Sequence, residues 1–419
     1  MSGKFNGVQA IIKGKVKSAL YVHCASHCLN LALSSASDLT LIRNTTGIIE
    51  SVYNFFNTPK RQASLEIFLG ADETIKNKKL KRFNPTRWVE RHTSISIFLD
   101  FQKSVISALE EISEWDNRAT SSLATQLLRS IQSCEFNVAA RVLNCILAYT
   151  LPLSKFLQSD DLDLATAVEN AEDARALLIS LRENAEPRFK ELFNTIKSES
   201  EVIGFEIKIP RICKKQVNRS NIDVPDAEDY YRISLFIPFL DSVLDQLNTR
   251  FVVHRGIFRT FQALTYQKNK DLHPSLDAEQ VKKARQELIE CYPEDLEGTE
   301  HEINIEIDLW LKFLEKLPSD FLKSNENRAV RLLGKCNKSL YPNVYTLLKI
   351  FCCLPVSNAS CERTFSTLKV LKNYLRNSMG QQRLNGLAHL YIQKHISLSA
   401  EDVLEEFSKQ KTRRLEFSL

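Results

Sequence analysis

Three groups of residues have the types and spacing to do chemistry. Cys24-Ala25-Ser26-His27 sets a thiol and an imidazole with two residues between them, and His23 and Cys28 stand beside the pair. That spacing could supply two corners of a zinc site, but a closed structural site takes four ligands and no second pair stands at a fitting distance. The other reading is a strand-to-helix turn whose cysteine belongs to the core. Arg87 and Trp88 follow Lys76, Lys78, Lys79, Lys81 and Arg82, with no acid between Thr74 and Val89. An indole beside a guanidinium can stack on an unpaired base while neighbouring cations hold phosphates. It can equally anchor a new helix in the core, with the lysines solvating a loop. Glu362 lies in the stretch from Pro355 to Ser366, where Ser or Asn caps a helix and the carboxylate falls in the first turn. There it meets the helix dipole favourably, by about 0.3–1 kcal/mol. It becomes catalytic only where other acids converge with it on a divalent metal.

The elements that must position these groups read as mainly helical, with a small α/β part. Residues 17–24 look like a short strand, and a helix follows with Leu29, Leu31, Ala32 and Leu33. A second helix over about 39–57 carries Leu39, Ile42, Ile48, Ile49, Val52 and Phe56 close to a 3.6 period, and Pro59 ends it. Asn84-Pro85-Thr86 reads as a turn and cap, and the pattern from Thr86 to about 115 is helical again. Residues 119–200 read as successive helices, broken at Pro152 and at Asp160, Asp161 and Asp163. The best linker is 204–230, with Gly204, Pro210 and Pro225; a weaker boundary lies between Pro293 and Glu306. Between them, Phe236, Phe239, Leu240, Val243, Leu244 and Leu247 form one broad apolar face. Near the end, Leu384, Leu387, Ala388, Tyr391 and Ile392 fall at i, i+3, i+4, i+7 and i+8. Such a stripe is either core or a surface that meets a partner.

Composition narrows the class. With 419 residues, about 150 per domain suggests two to three domains. A hydrophobic fraction of 43% with 9% aromatics suffices for a packed core, and 11 Gly with 12 Pro disfavours an all-β chain rich in tight turns. The formal charge of +5 permits nucleic-acid binding without arguing for it. No G-x-S-x-G elbow, P-loop or dinucleotide-type glycine fingerprint is present. No apolar run approaches the roughly 20 residues that span a membrane, and no leader is visible, so an intracellular chain is expected. Its ten cysteines, without a paired CxxC framework, are expected to be reduced and mostly buried.

Taken together, three segments resemble one family, the hAT transposases. Lys4-Phe5-Asn6-Gly7 with His23-Cys24-Ala25-Ser26-His27-Cys28-Leu29-Asn30-Leu31 is similar to the segment that follows that family's second catalytic aspartate. Thr86-Arg87-Trp88 resembles its Arg-Trp motif. Tyr341-Pro342, then Ser357 through Glu362-Arg363 to Ser366 and on to Leu390, resembles its C-terminal dimerisation region. The order and spacing of all three match, and the style is closest to the domesticated, zinc-finger-associated hAT proteins of animals.

The resemblance implies a ribonuclease-H-like fold interrupted by a large helical insertion. Residues 1–89 would be a partial ribonuclease-H-like segment, 90–335 the insertion, 336–396 the dimerisation region completing the core, and 397–419 a tail. It further implies that Glu362 is the third acid of an Asp-Asp-Glu triad, which in an intact family member holds two Mg²⁺ ions. Trp88 would stack near the cleaved strand with Arg87, Lys78, Lys79, Lys81 and Arg82 around it, and Cys24/His27 would lie close to the DNA end. The first residues fall inside the family's second-aspartate stretch, so two of the three acids are expected to be missing. Asp38 and Asp100 sit at no strand end that would make them substitutes. No metal or cofactor is expected in this chain.

The resulting expectation is a transposase-derived dimerisation protein, nuclear and catalytically inactive. Leu384, Leu387, Tyr391 and Ile392 would face a second copy or a related hAT-type chain, and DNA binding would be weak and non-specific. The alternatives are a part of an active transposase that cleaves and transfers DNA strands with metal, and a helical scaffold for an unrelated protein.

Overall fold

The computed structural model describes residues 7–70, 79–82, 88–158, 164–210, 224–264, 278–318, 328–354, 359–372, 378–394 and 396–409. They divide into two compact units, Met1–Ser357 and Asn358–Leu419. All regular structure among the described residues is helical, as expected of a mainly α chain, and no strand is present among them.

The strand expected over 17–24 is therefore corrected. Its alternation is real: Val22 and Cys24 are buried while Tyr21 and His23 face outward. A strand also needs a ladder partner, and no described segment lies beside it as one. The stretch is instead an extended lead-in from α1 (Val8–Lys15) to α2 (Ala25–Ala36).

Next come α3 (Thr40–Phe56), α4 (Pro59–Gly70), α5 (Trp88–Ser113), α6 (Arg118–Ile131), α7 (Cys134–Phe156), α8 (Leu164–Glu183) and α9 (Ala185–Ile203). α5 packs along α4, α6 and α7, while α3 leans on α7. Pro59 ends the preceding helix as expected but also opens α4, where its missing N–H costs nothing. Pro152 does not break the chain as expected, for it lies inside α7 only four residues before its last one, Phe156. A proline there still gives up its N–H and crowds the carbonyl of Ala148, so it weakens the last turn of α7 without ending the helix.

α7 also revises the membrane reading, being the one described helix long and apolar enough to cross a bilayer. Most of it is buried against its neighbours, which makes it the central helix of a packed unit. A polar clamp holds it in register. Arg141 pairs through Nε with Glu199 of α9, and its other nitrogens donate to Asn137 Oδ1 (3.0 Å) and Gln102 Oε1 (3.2 Å). Gln102 and Asn137 both donate to the carbonyl of Ile131, at 3.2 and 2.9 Å, so the turn after α6 is satisfied from two helices. Groups buried this deeply persist only when paired in this way.

After the expected linker, α10 (Ala227–Tyr231) runs through a π-helical turn, Arg232–Phe236, into α11 (Ile237–Gln262). Pro238 has no N–H to give back to the ladder, and a widened turn accommodates that loss. The predicted apolar face of α11 is buried at Phe236, Phe239, Leu240, Val243 and Leu247, and α11 packs on α2 and α8. The unit closes with α12 (Ala278–Cys291), α13 (Glu300–Glu315), α14 (Arg328–Lys335) and α15 (Pro342–Cys353). Thr299 and Glu302 form a reciprocal capping box on α13, preceded by Gly298 at φ 92°. Glu306 reaches from α13 to the start of α15, accepting from Val344 N and Asn343 Nδ2, both at 2.8 Å.

The second unit contains α16 (Ala359–Leu371), α17 (Gln381–Ile392) and α18 (Ala400–Lys409), with α16 and α17 packed together. Leu371 is buried there, but α17 and α18 bury no residue at all.

Candidate functional site

The first two sequence motifs meet in space. Trp88, the first residue of α5, is 1% exposed. Its backbone N–H donates to Asn30 Oδ1 (3.0 Å) and its indole Nε1–H to Ser34 Oγ (2.9 Å). Both acceptors sit one turn apart on α2, the helix that begins with the Cys-x2-His motif. The Arg91 guanidinium lies over the indole, 4.3 Å from the ring centre. Sequence reasoning missed this link, although Asn30 and Ser34 fall at i and i+4, which is the spacing of one helical face. Base stacking would require Trp88 to leave this seat.

Cys24 and His27 are not brought to a common point of exposure. Cys24 is buried at the N-cap of α2, whereas His27 is on the outside. Cys28 is buried as well, and burial, then the neighbouring Cys24, pushes its thiol up to about 11, although Arg250 pulls the other way. Arg250 of α11 donates to Ser35 Oγ (2.9 Å), so α2 is held by α5 on one side and α11 on another. Among the described residues no group of three or more His, Cys, Asp or Glu is arranged around a cation.

The described part of the basic run, Lys79, Lys81 and Arg82, is exposed. The Arg82 carbonyl is tied down there, accepting from Ser94 Oγ at 3.0 Å. Lys78 and Arg87 lie outside the described residues. Glu362 is in the first turn of α16, as its sequence position implied, but its side chain lies outside the description. Asp38 and Asp100 are exposed, just beyond the end of α2 and within α5. The described residues thus bring no set of three or more carboxylate, imidazole or thiol groups together around a point that Mg²⁺ could occupy.

The C-terminal stripe is of another kind. Leu384, Leu387 and Ile392 are half-buried in the second unit, and Tyr391 is 47% exposed. Phe365 on α16 is 69% exposed and Leu390 on α17 is 57% exposed. Fully burying one such side chain is worth about 1.5–3 kcal/mol. Phe365 and Leu390 thus stand in water on two helices that pack together.

Comparison with known proteins fits that surface. Residues 307–396 match the hAT family C-terminal dimerisation region. The chain is also similar to the mouse (Mus musculus) "52 kDa repressor of the inhibitor of the protein kinase", 25% identical over 99% of this chain and 55% of that protein. The human (Homo sapiens) protein of the same name gives 25% identity over 99% of this chain and 54% of its own length. The chain therefore spans about half the length of the curated relatives it matches. The matched stretch takes in α15, whose Val344, Leu347, Leu348 and Phe351 are buried in the first unit, and α16 and α17, whose Phe365, Leu390 and Tyr391 are exposed; residues 307–396 are thus identified by their match to the hAT family C-terminal dimerisation region.

Proposed function

We propose that this chain is a transposase-derived protein that works by association, not by cutting DNA, and that its exposed C-terminal face pairs it with a second copy or with a related hAT-type chain. The observation that carries the reading is the burial pattern of the second unit: α17 lies wholly within the matched dimerisation region and buries nothing, with Leu390 and Tyr391 in solvent. A role in repression is supported by the name of the mouse and human relatives, and a nuclear location follows from the family resemblance. In this reading residues 90–335 descend from a helical insertion into a ribonuclease-H-like core, of which 1–89 and 336–396 are remnants. The succession of helices described between 88 and 335 supports the insertion. Weak nucleic-acid binding falls to the exposed Lys79, Lys81 and Arg82 together with Lys78 and Arg87. Trp88 contributes by anchoring the helix that follows this run.

Sedimentation equilibrium of the full chain at micromolar concentration tests the central part. A dimer is expected, with the Leu390→Asp variant shifted toward monomer and no less folded. A native chain that stays monomeric overturns the reading, and Mg²⁺-dependent cleavage of DNA by this chain overturns its non-catalytic half. Neutralising Lys79, Lys81 and Arg82 should flatten the salt dependence of any DNA binding, because the log–log slope falls by about one for every phosphate that the protein no longer neutralises.

A further inference from the structure

α11 and α12 pack together, but along one stretch they do not close. Ile257 and Phe261 of α11 stand with Leu288 of α12 around a pocket of about 350 Å³, within the range of ligand sites, roughly 300–1,000 Å³. Leu20, from the extended lead-in before α2, lines its edge and is 39% exposed. The gap follows from the sequence. α11 has Gly256 at this point, and a Cβ added there would meet no atom within 4 Å. Packing on the far side fixes α11 in place. Phe261 is stacked on Phe351 of α15 with ring centres 4.7 Å apart, and Trp310 Nε1 donates to the Leu264 carbonyl just past the helix end.

The polar groups of the pocket are few and stand together. Glu287 Oε2 accepts from Thr260 Oγ1 at 3.3 Å, and the same hydroxyl reaches the Gly256 carbonyl at 3.0 Å. A hydroxyl has one proton to share between two acceptors, so the carboxylate is poorly satisfied. Glu287 is exposed and forms no ion pair with a described residue. Apolar walls beside one unneutralised acid suit a ligand with an apolar body and a single cationic group. We infer that this pocket binds a small apolar amine, its aromatic or branched aliphatic body in the space that Gly256 leaves and its ammonium beside Glu287 and Thr260. Every residue of the site belongs to the first unit, and the inference does not rest on the dimerisation reading.

2-Phenylethylamine and its neutral counterpart 2-phenylethanol test it, each titrated into the full chain and followed by saturation-transfer NMR. The native chain should bind both and prefer the amine by about two- to fivefold, the range of one exposed ion pair. Gly256→Leu puts a side chain into the pocket and should weaken both about tenfold or more. That variant should still fold, because leucine is a better helix former than glycine and its Cβ meets open space. Glu287→Gln should retain binding and lose the preference for the amine. A native chain that binds neither compound overturns the inference, and so does amine binding that Gly256→Leu leaves unchanged. Equal binding of amine and alcohol by the native chain overturns the assignment of ligand class.

Discussion

The two units of this chain cover their large apolar residues to different degrees. In Met1–Ser357 the large side chains go inside: Trp88, Trp310, Phe98, Phe101, Phe189 and Phe239 are all fully buried, and the indole N–H groups among them are paired. Trp310 Nε1 donates to the Leu264 carbonyl at 2.9 Å, as Trp88 Nε1 does to Ser34. In Asn358–Leu419 the same classes of residue stay in water, Phe365, Val370, Leu390 and Tyr391 among them. Composition is not the cause, since both regions alternate apolar and polar positions at helical spacing. The difference lies in how many helices are available to cover a face. Within the first unit α5 and α7 have neighbours on several sides; within the second, α16 packs on α17. A small unit with few layers buries a smaller share of its apolar surface than a large one does.

Substitutions should fall along that contrast. The largest effect is expected for Trp88→Ala, which empties a core seat and frees the Ser34 acceptor; stability of the first unit should drop by about 3–5 kcal/mol in denaturant unfolding. Loss of DNA binding without loss of stability would place Trp88 in a role its burial does not provide. Arg141→Ala should follow, at about 1–3 kcal/mol, because Gln102 and Asn137 lose a partner in the interior. High pH should act on the first unit next. Burial holds the Cys28 thiol at about 11, and burial with Glu306 holds the Cys336 thiol at about 12, both above the ordinary 9.0. The folded state thus keeps its protons longer than the unfolded one. The contribution is intact below pH 9 and is lost as pH rises through 9 toward 11–12, visible as a falling unfolding midpoint. Thr299→Ala should cost about 1 kcal/mol by removing the α13 cap. Smallest of all is Leu390→Ala, within about 0.5 kcal/mol on unfolding of the isolated chain, although it should weaken the dimer measurably.

Much of the first unit was legible in its sequence, for physical reasons that also mark where legibility stops. The stripe Ile42, Ile49, Val52 and Phe56 and the face from Phe236 to Leu247 follow from periodicity, and they are buried. The Asn84–Thr86 turn pointed to a helix near residue 86, and α5 begins at Trp88. Residues 17–24 carried a true period of two, but alternation reports which side chains are covered, not whether a second strand exists to pair with. Pro152 misled because an interior proline costs stability without always ending the helix, and the packing that holds α7 together around it is not written in the local sequence. The link from Trp88 to Asn30 and Ser34 joins residues more than fifty positions apart, beyond the reach of any window. At the C-terminus, spacing alone left the Leu384–Ile392 stripe open between core and partner surface. Of that stripe Leu384, Leu387 and Ile392 are half-buried in the second unit and Tyr391 is exposed.

The most direct test of the contrast is hydrogen exchange of the full chain at high and low protein concentration, read in α7 and in α17 side by side. Protection of residues 134–156 should be the same at both concentrations, because their cover is in the chain itself. Protection of residues 381–392 should be strong in the concentrated sample and fall on dilution, because their cover is a second copy. Equal protection of residues 381–392 at every concentration would contradict the account and leave the exposed C-terminal face without a role in association.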